Sequence, residues 1–269
     1  MLKSRIITGL VLAAGLIAVC YLLPLTWYAL FFWIVGALGA YEYSALAGMV
    51  RPLSRYLYVI AFSGLIALTW WQPMLMQAGL WFGVGIWMLA LVSVLAYPGS
   101  ARFIRHGWVT AGAGLLICWA AWIALVVIRD APSGSHWIVW LLVLVGGADV
   151  GAFFAGRSFG HTKLAPAVSP GKTWEGLWGG MAMASLMCGV ILLLMGRFNA
   201  GWLLIMVLLV VMSVFGDLFE SVLKRVRGMK DSGTLLPGHG GVLDRIDSAV
   251  AVLPCFALIL ILGGLSDRA

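Results

Sequence analysis

The sequence predicts an all-α, polytopic integral membrane protein with about nine transmembrane helices. Three observations carry that reading. The chain of 269 residues is 63% hydrophobic and only 10% charged, against roughly 25% charged for a soluble domain. Its apolar residues fall into long uninterrupted stretches, and its basic residues are distributed unevenly between the gaps.

The first stretch, Ile6–Leu23, follows Lys3 and Arg5, an arrangement shared with signal peptides. No small-residue cleavage site follows, and Val19 before Cys20 fits a lipoprotein cleavage box badly, so a retained first helix is expected. Further spans are expected at Thr26–Leu46, Leu57–Trp71, Leu80–Tyr97 and Val109–Ile128, then at Trp137–Phe154, Gly176–Leu194, Trp202–Phe215 and Ile246–Leu265. Each approaches the roughly 17–25 apolar residues that a tilted helix needs, with Leu57–Trp71 and Trp202–Phe215 short. Small residues spaced through the spans, such as Gly176 and Gly180, fit close helix packing.

Charge placement supports the same count. Alternating spans gather fourteen of the seventeen Lys and Arg on one side, leaving Arg129, Arg197 and Arg268 for the other. The positive-inside rule then puts the N-terminus and the late basic cluster in the cytoplasm, which in a bacterial cell means the inner membrane with the site facing inward. The net charge of +7 is thereby a topology signal and an attraction to anionic head groups. Nucleic acid is excluded as a partner, because no soluble basic domain exists to carry it. Cys20, Cys118, Cys188 and Cys255 all fall inside spans without paired spacing and read as small buried hydrophobes. No repeat or linker divides the chain. One membrane domain over 1–269 is expected, with N-terminal helices over 1–135 and a chemically active half over 136–269 whose loops are 157–175 and 221–245.

The run from Ser221 to Ser248 concentrates most of the polar chemistry. Lys224, Arg225, Arg227 and Lys230 stand beside Asp231, Asp244 and Asp247, with the turn Pro237-Gly238-His239-Gly240-Gly241 between them. Of the other acids, Glu42, Asp130 and Asp267 lie near expected span ends and read as solvated or snorkelling. Asp149 interrupts an apolar span, where a carboxylate is expensive and needs a partner or a wet cavity. A purely structural pairing is an equal alternative for it. Asp217, Glu220, Ser221 and Lys224 recur at i, i+3, i+4 and i+7, one face of a helix leaving the membrane. The alternative is a solvated helix end with ordinary ion pairs.

Asp244 and Asp247 repeat the i, i+3 pattern at a helix start. With Asp217 they could share a hard divalent cation such as Mg²⁺, although acids at a helix N-terminus are also stabilised by its dipole alone. The glycine turn offers close backbone approach and N–H groups that can cradle phosphate oxygens, with Gly240 and Gly241 foremost. His239 either hydrogen-bonds a phosphate or fixes the loop. Ser169-Pro170-Gly171-Lys172-Thr173 ends like a P-loop, but Pro166 stands where the first glycine belongs and no strand is expected before it. Ser169, Lys172 and Thr173 can still meet a phosphate or lipid head group, as can Arg157.

The ungapped run S-x-x-K-R-x-x-x-x-K-D-x-G-x-x-x-P-G-H-G-G-x-x-D-R-x-D, from Ser221 through Asp247, resembles the signature of the phosphatidate cytidylyltransferases. The upstream Asp149-x-x-Ala152-x-x-x-Gly156-Arg157 and Ser169-Pro170-Gly171-Lys172-Thr173-x-Glu175-Gly176 are similar to that family too. The likeness is close over the C-terminal half and extends to the N-terminal half only as apolar helices.

The resemblance implies that CTP and phosphatidate give CDP-diacylglycerol and pyrophosphate with Mg²⁺, with room for a second metal ion, in a homodimer. It implies metal binding by Asp217, Asp244 and Asp247, with Asp244 as the bridge. It leaves Lys224, Arg225, Lys230, Asp231, His239 and Asp244 as the catalytic set. Arg157, Ser169, Lys172, Thr173, Ser221, Gly240, Gly241 and Arg245 become the substrate contacts. Two other classes compete. A transporter would need polar groups spread through the membrane, whereas these gather at one face. A CDP-alcohol phosphotransferase would need a glycine and arginine after its aspartates that Asp244–Ser248 lacks.

Overall fold

The computed structural model of the chain describes residues 13–233 and 240–263. It is helical almost throughout. A short apolar helix α1 (Ala13–Leu22) is followed by α2 (Leu25–Leu46), α3 (Pro52–Trp71), α4 (Met74–Leu95), the single turn α5 (Ala101–Ile104), α6 (Gly107–Asp130) and α7 (Gly134–Phe159). A hairpin of β1 (Lys163–Ala165) and β2 (Ser169–Thr173) leads into α8 (Trp174–Leu194), α9 (Ala200–Arg227) and α10 (Leu243–Leu262). Among the described residues, eight helices are long and apolar enough to cross a bilayer, so the all-α, multi-pass membrane reading holds. Residues 6–12 of the first expected span lie outside the described residues.

The helices run beyond the expected spans at several ends, and three places have a plain local reason. Helix α3 starts at Pro52, because proline suits the first helical position, so Arg55 lies on the helix itself. Helix α9 continues from its apolar part to Arg227 and stops where Gly228 takes a left-handed conformation at φ 68°. The segment expected as a loop over 157–175 is instead the end of α7, an antiparallel hairpin in register Lys163 to Thr173, and the start of α8. The strand before Lys172 was not expected from sequence. It does not make a P-loop, since Pro166 still replaces the required glycine.

Lipid gives helices no hydrophobic reason to associate, so close backbone packing must do it. Helices α7 and α8 meet along glycine and alanine: a Cβ on Gly151 would lie 2.5 Å from Gly179 O, and one on Gly180 2.6 Å from Ala148 O. Helices α6 and α10 are the most buried and pack on each other and on α2 and α4. The four cysteines are buried and unpaired.

Several backbone ends are tied at one pole. The Arg227 guanidinium donates to Leu46 O at 2.8 Å, Ala47 O at 3.0 Å and Ile104 O at 3.5 Å. Arg225 Nε donates to Val168 O at 3.2 Å, which fastens the hairpin to the end of α9. The connections α2–α3, α4–α6, α7–α8 and α9–α10 therefore share the pole that carries the basic residues.

Candidate active site

The site begins at the crossing of α9 and α10. Gly216 permits it: a Cβ there would lie 2.7 Å from Asp247 O and 2.8 Å from the Ala251 methyl. The close approach sets Asp217, the next residue on α9, against Asp247 on α10, and the two carboxylates act on each other electrostatically. Glu220, one turn further along α9, also reaches Asp247. Spacing of three and four along a helix is what aligns Asp217, Glu220 and Lys224 here.

Lys224 joins the two helices. Its Nζ donates to Glu220 Oε2 at 2.7 Å and to Asp244 Oδ1 at 2.8 Å, with the three side chains 15%, 5% and 11% exposed. Asp244 in turn gathers the loop. Its oxygens accept from Gly241 N at 2.7 Å and from Ser232 N at 3.1 Å and 3.2 Å. Gly240 stands beside it at φ 82°, where a Cβ would lie 2.8 Å from Asp244 Oδ2 and 3.7 Å from Asp231 Oδ1. Glycine meets both requirements, positive φ and close approach.

At the other end of the row, Lys172 Nζ on β2 lies 2.7 Å from Asp217 Oδ2. It closes a cavity of about 520 Å³ between α7, α8, α9 and α10, lined among others by Asp149, Arg157, Lys172, Thr173, Asp217 and Ser248. Thr173 caps α8 by accepting from Gly176 N at 3.1 Å. Glu175 holds the hairpin by accepting from Thr162 N at 3.1 Å. The polar row thus reads Lys172, Asp217, Asp247, Glu220, Lys224, Asp244, alternating charge except at its centre.

That centre is where a cation fits. Among the described residues, no group of three or more acidic, histidine or cysteine side chains converges as a ready-made metal site. The donors are nevertheless hard oxygens of the kind Mg²⁺ takes. Asp247 interacts electrostatically with both Asp217 and Glu220, and among the described residues Glu220 Oε1 is buried without a hydrogen-bond partner. Facing carboxylates are relieved either by a cation between them or by a proton on one of them. Asp244 is more committed, because Lys224 and two backbone N–H groups already occupy its oxygens.

Residues 3–262 match the model of the cytidylyltransferase family. The chain belongs to that family. A phosphatidate cytidylyltransferase of Pseudomonas aeruginosa is 44% identical, covering 97% of each chain. One of Haemophilus influenzae is 37% identical over 96% of this chain and 98% of its own. One of Helicobacter pylori is 37% identical over 91% and 87%.

In this cytidylyltransferase-family chain the sequence-derived residues divide into groups. Lys172, Asp217, Lys224, Asp244 and Asp247 belong to one connected row, with Gly240 and Gly241 against Asp244. Arg157 and Thr173 line the cavity, and Ser169 begins the strand that carries Lys172. Arg225 is spent on the hairpin. Lys230 and Asp231 are exposed on the segment after α9, Ser221 is partly buried on α9, and Arg245 is exposed on the first turn of α10. His239 lies outside the described residues, as do Pro237 and Gly238.

Two residues were misjudged or missed. Glu42, expected to be solvated at a span end, is 1% exposed and accepts from Leu243 N at 2.8 Å, because the late loop folds over the end of α2. Glu220 was read only as part of a stripe and is the buried partner of Lys224. Asp149 lines the cavity between α7, α8, α9 and α10, one of the two settings its sequence context allowed.

Proposed function

We propose that the chain is a phosphatidate cytidylyltransferase: it transfers the cytidylyl group of CTP to phosphatidate, giving CDP-diacylglycerol and pyrophosphate. The observation that carries this is the row from Lys172 to Asp244, which adjoins the cavity between α7, α8, α9 and α10. Relatives named for this activity, at 44% and 37% identity over nearly the whole chain, support it.

The reaction asks little covalent chemistry of the protein. A phosphate oxygen of phosphatidate is already ionised at neutral pH. It bonds to the α-phosphorus of CTP while the bond from that phosphorus to the α,β-bridging oxygen breaks, and pyrophosphate departs with the electron pair. What is needed is alignment and charge neutralisation. In this reading Lys172 and Arg157 receive the lipid phosphate in the cavity, with the acyl chains left in the bilayer. Lys224 and Lys230 meet the nucleotide phosphates and offset the charge developing on pyrophosphate. Arg225 acts through the hairpin it holds.

Asp217 and Asp247 are the residues best suited to hold Mg²⁺, with Asp244 able to join if Lys224 turns to a phosphate. Bound there, Mg²⁺ would neutralise phosphate oxygens and lower the charge barrier between two anionic reactants. The reading further puts the basic pole in the cytoplasm of the inner membrane, following the positive-inside rule, and includes a homodimer.

The test is purified protein in detergent with phosphatidate and each of the four ribonucleoside triphosphates, with and without Mg²⁺. A CDP-lipid formed only with CTP and Mg²⁺ supports the assignment. Lipid turnover indifferent to CTP overturns it.

A further inference from the structure

The functional row runs from β2 through α9 to α10, and one carboxylate from the N-terminal half packs against the loop that holds Asp244. Glu42, on the last turns of α2, is 1% exposed. Its Oε2 accepts from Leu243 N at 2.8 Å and from Ser232 Oγ at 3.4 Å. Leu243 opens α10, and the residue before it, Val242, supplies no side-chain cap. An uncapped helix start leaves orphan N–H groups that an acceptor must satisfy. Here the acceptor comes from about 200 residues away in sequence.

The same carboxylate touches the loop that presents Asp244. A Cβ on Gly241 would lie 2.5 Å from Glu42 Oε2, and one on Gly233 would collide with Glu42 Oε1. Ser232 and Gly241 are also the two residues whose backbone N–H groups donate to Asp244. Each is therefore held between two carboxylates, with Glu42 behind and Asp244 in front. Among the described residues Glu42 Oε1 is buried without a hydrogen-bond partner. A group so costly to bury would be poorly chosen as mere filler.

We propose that Glu42 is a positioning residue for the site: a buried carboxylate delivered by α2 that caps α10 from outside and fixes Ser232 and Gly241, and through them Asp244. It touches no substrate. It couples the N-terminal helices to the geometry of the row, so that the first turn of α10 keeps its place against Lys224. Its consequence for turnover rests on the proposed cytidylyl transfer, while its consequence for the backbone does not.

The test uses the full chain in detergent, as wild type, Glu42→Ala, Glu42→Gln, Ser232→Ala and Gly241→Ala. Amide exchange at Gly241 and Leu243 should accelerate in Glu42→Ala, since the cap is gone, and accelerate less in Glu42→Gln, whose amide oxygen can still accept. The kcat for CDP-lipid formation should fall by up to about 100-fold in Glu42→Ala, the scale of a small displacement of a working group. KM for phosphatidate should change by less than about twofold. Ser232→Ala, which removes one donor and little else, should move exchange and kcat the same way by a smaller factor. Gly241→Ala, which crowds Glu42, should do so without loss of the folded detergent peak. Unchanged exchange in Glu42→Ala overturns the inference, as does faster exchange with wild-type kcat. A wild type without cytidylyl transfer counts against the proposed reaction, and the exchange results still decide the role of Glu42.

Discussion

Replacing Lys224 with methionine separates structure from chemistry at the centre of the site. The change keeps an unbranched side chain one atom shorter and removes two charge-assisted hydrogen bonds, of 2.7 Å to Glu220 and 2.8 Å to Asp244. Each such bond contributes roughly 1.5–3 kcal/mol. All three side chains are well under a third exposed, at 15%, 5% and 11%, so solvent screening does not dilute them. Glu220 is left buried without its cation, and breaking a buried pair in this way costs about 3–5 kcal/mol. The single variant should therefore melt at lower temperature in detergent. It should also lose about 100- to 1,000-fold in kcat, the scale for removing one preorganised charge stabiliser. The double variant Lys224→Met with Glu220→Gln distinguishes the two losses. It removes the unpaired buried charge, so melting temperature should recover while turnover stays low. Intrinsic-fluorescence melting and conversion of labelled CTP to CDP-lipid are the assays. If the double variant recovers turnover together with stability, Lys224 only neutralises Glu220 and the phosphate-binding role is wrong.

Gly216→Ala adds a Cβ 2.7 Å from Asp247 O and must push α9 from α10. Overpacking of this kind costs about 1–3 kcal/mol, and both melting temperature and activity should fall; wild-type values for both would show that the crossing is not constrained. Lys172→Met removes the 2.7 Å pair with Asp217, whose side chain is 37% exposed, so stability should change by less than about 1 kcal/mol. KM for phosphatidate should nonetheless rise about tenfold if Lys172 receives the lipid phosphate, a loss of uniform binding, and an unchanged KM would remove it from that role.

Much of this arrangement was readable from the chain because lipid imposes simple rules. Spans must be long and apolar, and charges that break them need partners. Asp217, Lys224 and Asp244 could be recognised for that reason. Glu42 could not, since its nearness to a span end normally means solvent, and the loop covering it is almost two hundred residues later in sequence. The hairpin over 163–173 was missed because Leu164-Ala165-Pro166-Ala167-Val168 lacks alternation and contains a proline. The apolar span of α9 ends near Phe215, as hydropathy reads it, and the i, i+3, i+4, i+7 stripe from Asp217 to Lys224 already implied the helix that continues to Arg227 and stops at Gly228. The commitment of Asp244 to Lys224, Ser232 and Gly241 was hidden, because pairing between side chains on different helices leaves no periodic trace.

The central claim, that carboxylates at the crossing of α9 and α10 take up a divalent cation with the nucleotide, is most directly tested by binding. Mn²⁺ accepts the same oxygen ligands as Mg²⁺ and is visible by electron paramagnetic resonance. The account predicts that wild-type protein with CTP immobilises Mn²⁺ and that Asp217→Asn combined with Asp247→Asn abolishes the protein-bound signal while the helices remain folded. Equal Mn²⁺ binding by both proteins would contradict it.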